Sequence, residues 1–389
     1  MALWLNEHLE APSRQLMDVG DGTLNLLLSW GTPSVVFCTH MDTVPPYIAP
    51  VFPEGSDVSQ TSLRDPSHAP GTCRLWTPPS YPAEGSQSFG DVTTLRNEPQ
   101  TVEDVTDCHS DSSPGHSDSS PCHSERSEES KTITGRGSCD AKGQLFAMYT
   151  ACKELEAKGC TGFGLLILAG EETGSWGAKA FSKTGFTAPF LIVGEPTDNK
   201  MVSAAKGTLS YDLKFTGREF HSGYPQCGTS AVELFNQFYN ALKAVSWGID
   251  LELGETTWNI GLLSSPNPQN ILSPELTCRL YFRTTFLSHA AVQEWMQEIS
   301  GQDGPLSVTP RGGDVPARYV VLPGFESAPV AFGSDAPHLT GFGHKIICGP
   351  GSIKVAHRPE ECITVADLKT AVQQYVRMAV ELKASKSGD

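Results

Sequence analysis

Short apolar runs that lead directly into a histidine or a carboxylate constrain the fold of this chain more than any other feature. Three such runs occur: residues 35–38 before His40, residues 164–170 before Glu171 and Glu172, and residues 190–193 before Glu195. Runs of this kind predict strands buried on both faces, as in a mostly parallel sheet covered by helices. Because open α/β sheets carry their sites beyond the carboxyl ends of the strands, the polar side chains should meet at one edge. The sequence therefore predicts an α/β domain with a site there.

A further ligand-type side chain, Asp140, lies in a glycine-rich turn that spans residues 135–143. Apolar residues at steps of three and four after this turn predict a helix that ends near Gly159, where a glycine suits the C-terminal cap. Taken alone, Asp140 is more simply interpreted as the N-cap of that helix. If other ligand-type residues surround it, the same carboxylate can bridge two metal ions, one on each oxygen.

The residues around these positions have a chemical logic. In His40-Met41-Asp42 the histidine can bind a metal while Asp42 accepts the other ring N–H and fixes the tautomer. Glu171 and Glu172 leave a strand on opposite sides, so one can bind a metal while the other faces a substrate.

Five residues form the predicted ligand set: His40, Asp140, Glu172, Glu195 and His357. Two histidines and three carboxylates suit two Zn²⁺ ions that share one bridging carboxylate, and such a set would also accept Co²⁺ or Mn²⁺. These residues lie far apart in the sequence, so their joint presence is stronger evidence than any one of them.

The sequence pattern changes near residue 204 and changes back near residue 308. Across residues 209–215 apolar and polar side chains alternate, which predicts a strand with one face in solvent. Two more strands and two helices follow, which predicts an α+β (ferredoxin-like) module with both helices on one face of an antiparallel sheet. We therefore predict a larger domain formed by residues 1–203 and 308–389, interrupted by a smaller domain at residues 204–307.

Residues 53–132 differ from the rest of the chain. They are rich in Ser, Pro, Thr, Asp and Gly, and the sequence His-Ser-Asp-Ser-Ser-Pro occurs there twice. Such a segment buries too little apolar area to offset the entropy of ordering it, so we predict a disordered insertion. The insertion helps to separate His40 from Asp140 by 99 residues, which the fold tolerates because the cost of loop closure grows only logarithmically with length.

Charge and cysteine content limit the partners and the compartment. The formal charge of −16 argues against nucleic acid or an anionic membrane as a partner, because both attract clustered Lys and Arg. The eleven cysteines include no Cys-x-x-Cys pair, which favours a reducing compartment over a disulfide framework. The amino terminus lacks the basic region of a signal peptide, and the longest apolar run is too short to cross a bilayer. These features predict a cytoplasmic protein.

Five motifs occur in the order found in one family of enzymes. They are THMDTVP at 39–45, GRGSCDAKG at 135–143, EETG at 171–174, GEPTD at 194–198 and AH at 356–357. On these motifs the chain resembles the di-zinc metallopeptidase family of acetylornithine deacetylase, succinyl-diaminopimelate desuccinylase and aminoacylase. The resemblance covers nearly the whole chain except residues 53–132, and it implies that the larger domain is catalytic.

The resemblance divides the five ligands between two zinc ions per chain. His40, Asp140 and Glu195 would hold one zinc, and Asp140, Glu172 and His357 would hold the other. Co²⁺ is the expected substitute.

The resemblance also implies roles for residues outside the ligand set. Glu171 matches the general base that takes a proton from zinc-activated water, and Asp42 matches the residue that orients a ligand. The smaller domain resembles a lid and dimerisation domain, from which His221 would reach into the site of the partner subunit in a homodimer. The positions that match contacts to the substrate carboxylate are Asn259, Asn270 and Arg283, and those that resemble a substrate-side loop are Gly333 and Asp335.

The expected activity is metal-dependent hydrolysis of the amide bond of an N-acyl amino acid, with N-acetylornithine as the first choice of substrate. Two enzymatic alternatives on the same site stay open, a metallo-dipeptidase or carboxypeptidase and a succinyl-diaminopimelate desuccinylase. A third alternative is a dimeric relative that binds an amino-acid derivative without catalysis.

Overall fold

A computed structural model describes residues 1–20, 22–53, 131–300 and 304–386. The disordered insertion predicted at residues 53–132 falls almost entirely on residues 54–130, outside the described residues, and stays a prediction.

The described residues form six α-helices and seventeen strands. The helices are α1 (Ala2–His8), α2 (Lys142–Ala157), α3 (Trp176–Ser182), α4 (Ala231–Ala244), α5 (His289–Glu298) and α6 (Val365–Lys386). The strands are β1 (Ser13–Gly20), β2 (Thr23–Trp30), β3 (Val35–His40), β4 (Thr132–Thr134), β5 (Phe163–Leu168), β6 (Ala188–Val193), β7 (Met201–Ala205), β8 (Gly207–Thr216), β9 (Ile249–Asp250), β10 (Gly254–Glu255), β11 (Thr257–Ser264), β12 (Glu275–Thr284), β13 (Leu306–Gly312), β14 (Ala317–Arg318), β15 (Ser327–Val330), β16 (Phe342–Ile347) and β17 (Cys362–Thr364).

The largest sheet has six strands in the order β1-β2-β5-β3-β6-β16. Strands β5, β3, β6 and β16 run parallel to one another, whereas β1 and β2 are antiparallel additions at one edge. Every residue of β3 and β5 is buried. The prediction of a mostly parallel sheet with strands buried on both faces is therefore confirmed.

Alternate side chains of these strands pack into two different cores. Phe37 belongs to a core shared with α2 and α6, while its neighbours Val36 and Cys38 belong to a core shared with α3. Successive side chains of a strand point to opposite faces, so helices cover the sheet on both sides. A side chain caps the start of the last helix, because Thr364 Oγ1 accepts a hydrogen bond from the Asp367 N–H at 3.0 Å.

A second sheet has four antiparallel strands in the order β11-β12-β8-β13. Side chains of α4 and α5 share one core with alternate residues of β8 and β12. The predicted α+β module is confirmed as part of the fold class. Its sheet runs from Gly207 to Gly312, and the domain boundaries at 203/204 and 307/308 stay predictions.

Two smaller sheets complete the described fold. Strands β14, β7 and β15 form one of them, and β4 pairs with β17 in the other. The β4–β17 ladder pairs Thr134 with Cys362, directly before the glycine-rich turn and directly after Glu361. The ladder therefore joins the turn that carries Asp140 to the segment that carries His357.

The first glycine of that turn is required by its surroundings. Gly135 has φ +128°, and a Cβ built on it would lie 2.8 Å from Pro50 Cα and 2.9 Å from Ala49 O. Gly20 has a similar φ of +111° but open space around it. The two positions separate the cost of the backbone conformation from the cost of close approach.

We expect Gly135→Ala to lower the free energy of unfolding by about 3 kcal/mol or more, because strained φ and overpacking each cost about 1–3 kcal/mol. Gly20→Ala is the matched control and should cost about 1 kcal/mol, from φ alone. Urea unfolding of the two variants measures the difference. Equal losses of unfolding free energy in the two variants would show that the close contact of Gly135 with residues 49–50 does not contribute to stability.

Candidate metal centre

Three neighbouring parallel strands deliver the first part of the site. His40 is the last residue of β3, Glu171 and Glu172 follow β5, and Glu195 follows β6. In the sheet β3 lies between β5 and β6, so these side chains leave the same edge. The expectation that the strand ends would meet at one edge agrees with this topology.

Asp140 lies between the two histidines. Its Oδ1 is 3.1 Å from His40 Nε2, and its Oδ2 is 3.2 Å from His357 Nε2. His357 Nε2 is also 3.1 Å from Glu172 Oε1. The N-cap of α2 is Ala141, so the simpler interpretation of Asp140 as a helix cap is wrong. The structure thus brings together four of the five predicted ligands through direct contacts.

The fifth, Glu195, is a buried carboxylate that interacts electrostatically with His40 and Asp140. Burial raises the pKa of Glu195 well above its usual value, and the nearby Glu171 carboxylate raises it further. Glu195 therefore lies within the field of the same cluster.

The spacing of these atoms fits a metal ion. A tetrahedral zinc ion with bonds of about 2.0–2.2 Å separates its ligand atoms by about 3.3–3.6 Å. The three contacts in the cluster measure 3.1, 3.1 and 3.2 Å. Ligand atoms of His40, Asp140 and Glu172 all lie within 4.8 Å of one another. One carboxylate with a histidine on each oxygen is the arrangement that a bridging ligand requires.

The electrostatics of the cluster also fit cations. Burial, together with the charges of neighbouring carboxylates, raises the pKa of Glu171 to about 8 although His40 opposes the shift. Burial likewise raises the pKa of Asp335 to about 6. Carboxyl groups hold protons this strongly when a site has too little positive charge, and divalent cations would supply it.

The pKa values of the two histidines are raised as well. Burial alone would lower the pKa of His40, but hydrogen bonds to Asp140 and Asp42 outweigh it and raise the pKa well above its usual value. The hydrogen bond to Asp140 is the main cause that raises the pKa of His357 to about 9. The His357 side chain is 48% exposed, whereas that of His40 is 1% exposed, so the site is more open to solvent on the His357 side.

Asp42 has a role that the sequence does not reveal. The nearest acceptor for His40 Nδ1 is the Asp42 main-chain carbonyl at 3.0 Å, and the carboxylate lies 3.6 Å away. The carboxylate accepts hydrogen bonds from the N–H groups of Gly170 at 2.9 Å, Glu171 at 3.3 Å and Glu172 at 3.1 Å. Asp42 therefore fixes the turn that carries both glutamates as well as lying beside His40.

Comparison with protein-family models decides the family. A model described as peptidase family M20/M25/M40 matches residues 105–299. The chain belongs to this family. It is a hydrolase of the metallopeptidase type, and the donor set described above suits the zinc expected from the motifs.

Relatives in this family resemble the chain over about two thirds of their length. A probable carboxypeptidase of Aspergillus clavatus is 32% identical over 281 residues, which cover 66% of this chain and 68% of that protein. A peptidase M20 domain-containing protein of Schizosaccharomyces pombe is 33% identical over 264 residues, which cover 65% of this chain and 64% of that protein.

Solved structures share the fold of the chain. A tripeptidase from Staphylococcus aureus gives a TM-score of 0.63 at 17% identity and covers 95% of this chain and 89% of that chain. An M20 family metallo-carboxypeptidase from Sulfolobus solfataricus gives a TM-score of 0.58 at 15% identity. The match covers 96% of this chain and 92% of that chain. At these identities the similarity shows the fold alone.

Four of the predicted site residues belong to the smaller sheet and its loops: His221, Asn259, Asn270 and Arg283. His221 is exposed, and within the described part of the chain its side-chain contacts are local: Nδ1 accepts the Gly223 N–H at 3.1 Å, and its ring lies near that of Tyr224. Asn270 is an exposed neighbour of this loop, since its carbonyl accepts the Ser222 N–H at 2.9 Å. Asn259 is an exposed residue of β11.

Arg283 is the candidate nearest to the predicted substrate-side loop. It lies on β12, and its Nη1 is 3.9 Å from the position that a Cβ on Gly333 would occupy. That loop continues to Asp335, which is 2% exposed and interacts electrostatically with His40 and Asp42. Arg283 therefore places a positive charge beside the loop that borders the cluster.

Two other expectations concern the chain as a whole. Among the described helices, none combines the length and the apolar character needed to span a bilayer. The eight cysteines in the described ranges are all free. Neither finding locates the protein in a compartment, and the cytoplasmic location stays a prediction.

Arg136 and Glu361 are charged residues near the cluster to which the sequence analysis gives no role. Arg136 is 5% exposed and Glu361 is fully buried, and they form an ion pair of 2.7 Å. The signal available in the sequence is weak: Arg136 is flanked directly by two glycines of the turn, and Glu361 is the second acid after His357.

Proposed function

We propose that this chain is a two-zinc exopeptidase that hydrolyses small peptides next to a free carboxyl terminus. One observation carries the proposal: the Asp140 carboxylate lies between two histidines, with one oxygen 3.1 Å from His40 and the other 3.2 Å from His357. His40, Asp140 and Glu195 would hold one ion, and Asp140, Glu172 and His357 would hold the other. Zinc suits this donor set, and Co²⁺ is the expected substitute.

The residues of the chain divide the chemistry between them. When bound, zinc would lower the pKa of water and polarise the substrate carbonyl. Glu171 takes the proton of the attacking water and returns it to the departing amine. Burial and the neighbouring carboxylates raise the pKa of Glu171 above that of a free glutamate, which is the direction that a general base requires. The Asp42 carboxylate accepts a hydrogen bond from the Glu171 N–H, which fixes the position of the main chain from which the Glu171 side chain extends.

The smaller domain supplies the rest of the proposed site. Arg283 would bind the carboxylate of the substrate, with Asn259 and Asn270 as further polar contacts. The partner subunit's His221 would donate a hydrogen bond to the oxyanion that forms on the substrate, in a homodimer joined through the smaller domains. The exposed position of His221 is compatible with such a contact between subunits.

The relatives favour a peptide substrate. The relative in Aspergillus clavatus, at 32% identity, is called a probable carboxypeptidase. N-acetylornithine, the substrate expected from the motifs, has no such support. It becomes the comparison substrate in the test.

The test is a hydrolysis screen of the full chain with Zn²⁺ or Co²⁺. The substrates are dipeptides, the same dipeptides with an amidated carboxyl terminus, N-acetylornithine and N-succinyl-diaminopimelate. We expect kcat/KM to be highest for free dipeptides and about tenfold or more lower for the amides, because a hydrogen bond to a charged group contributes about 1.5–3 kcal/mol.

Arg283→Met should remove most of this preference while it leaves the amidated substrates unaffected. Turnover of N-acyl amino acids alone would contradict the peptidase. Equal turnover of free and amidated dipeptides would contradict recognition of the carboxylate.

A further inference from the structure

Glu361 is a buried carboxylate whose partners lie in the glycine-rich turn. Its Oε1 accepts hydrogen bonds from the N–H groups of Cys139 and Asp140, both at 3.0 Å. Its main-chain carbonyl accepts the Gly135 N–H at 2.9 Å. Glu361 therefore holds the turn at its first residue and at its middle, where it binds the N–H of Asp140, whose carboxylate lies between the two histidines.

Arg136 extends these contacts to two other segments of the site. Its Nη1 donates to Glu361 Oε2 at 2.7 Å, its Nη2 donates to the His357 carbonyl at 3.4 Å and its Nε donates to the Pro46 carbonyl at 3.3 Å. The Pro46 segment continues the chain from His40 and Asp42. The Arg136 guanidinium group therefore contacts both the segment that follows His40 and the main chain of His357 itself.

The β4–β17 ladder explains how the two charges meet. It pairs Thr134 with Cys362, so Arg136 and Glu361 emerge from neighbouring strands at the same end. Both side chains are almost completely removed from water, at 2% and 0% exposure. A buried pair of this kind is tolerated only when hydrogen bonds satisfy the remaining donors and acceptors, and the contacts above provide them.

We propose that Arg136 and Glu361 form a positioning pair that holds Asp140 and His357 at the separation that two metal ions require. The pair acts through main-chain groups of the ligands and of their neighbours, and touches neither the metal nor the substrate. The inference rests on the proposed function in one respect, since it needs the cluster to bind metal. It does not depend on which peptide is hydrolysed.

A pair that only stabilises the fold would have a different signature. It would make the metal-free and the metal-loaded protein less stable by the same amount. A pair that positions ligands lowers metal affinity, and so reduces the rise in melting temperature that metal produces.

The experiment measures zinc binding by competition with a chelator, and the melting temperature with and without zinc. Glu361→Gln keeps an oxygen for the two N–H groups but places an amide N–H₂ against Arg136. Arg136→Lys keeps the charge but cannot contact Glu361, His357 and Pro46 together, and it is the milder variant if Glu361→Gln folds poorly. The control is Asp212→Asn, which breaks the ion pair with Arg279 on the smaller sheet.

We expect Glu361→Gln to raise the dissociation constant for zinc about 10–100-fold and to reduce the zinc-induced rise in melting temperature, as for other residues that orient metal ligands. Arg136→Lys should have a smaller effect in the same direction, and Asp212→Asn should have none. Unchanged zinc affinity in both site variants would overturn the positioning pair alone. If the unmodified protein bound no zinc, the proposed metal centre would fall, and the pair with it.

Discussion

The Glu171→Gln variant is expected to bind metal as the unmodified protein does, but to hydrolyse peptides at least about a hundredfold more slowly, as for a lost general base. The Glu171 carboxyl is held beside the cluster, where burial raises its pKa to about 8. The direct contacts to the histidines come from Asp140 and Glu172 instead. Removing the charge of Glu171 should therefore remove proton transfer and leave the ligands in place.

The neighbouring glutamate is the matched control. Glu172 Oε1 is 3.1 Å from His357 Nε2, so Glu172→Gln should lower metal content as well as rate. Metal content after dialysis and kcat on a dipeptide separate the two outcomes. Near-normal turnover by Glu171→Gln would show that Glu171 is not the general base. Loss of metal from this variant would show that Glu171 is a metal ligand.

The fold could be predicted from the sequence where burial of a strand determines the pattern of apolar and polar residues. Residues 164–170 are apolar throughout because β5 is covered on both faces, and residues 209–215 alternate because β8 has one face against helices. Strand β13 has only a short alternation at Leu306 and Val308: it is an edge strand, most of its residues are exposed, and it contains Pro310. An edge strand depends on main-chain hydrogen bonds with its neighbour, which side-chain patterns do not report.

The same distinction applies to the site. His40, Glu172 and Glu195 could be predicted as neighbours because parallel strands end at one edge, and their residue types name the chemistry. The hydrogen bonds that Asp42 and Glu361 accept come from main-chain N–H groups, which every residue except proline carries. No residue type identifies such a partner, so the groups that hold the two acidic turns in place could be recognised only from the structure.

The two turns share one design. Asp42 receives the N–H groups of the turn that carries Glu171 and Glu172, and Glu361 receives those of the turn that carries Asp140. In each case a carboxylate on one segment accepts hydrogen bonds from the main chain of a second segment. The ligand carboxylates that these turns carry are thereby held close together although they repel one another. These hydrogen bonds oppose the repulsion between the ligand carboxylates.

The Asp140→Asn variant should show the largest effect on metal binding. Each Asp140 oxygen faces a different histidine, so one substitution weakens both proposed ion sites, whereas a change to any other ligand weakens one. Because residues that only orient ligands already contribute 10–100-fold to metal affinity, loss of the bridging charge should cost at least about a hundredfold. Metal analysis after dialysis and zinc titration measure the loss.

Glu360→Gln is the control for Asp140→Asn, since Glu360 is a 70% exposed carboxylate on the His357 segment and should retain full metal content. If Asp140→Asn lost only one ion, the carboxylate would belong to one ion site and the two sites would be independent. Loss of both ions from this single change, with neither lost from Glu360→Gln, is the result that a shared ligand requires. It would also explain why the turn is held by Glu361 and Arg136, because a displacement of Asp140 disturbs both sites at once.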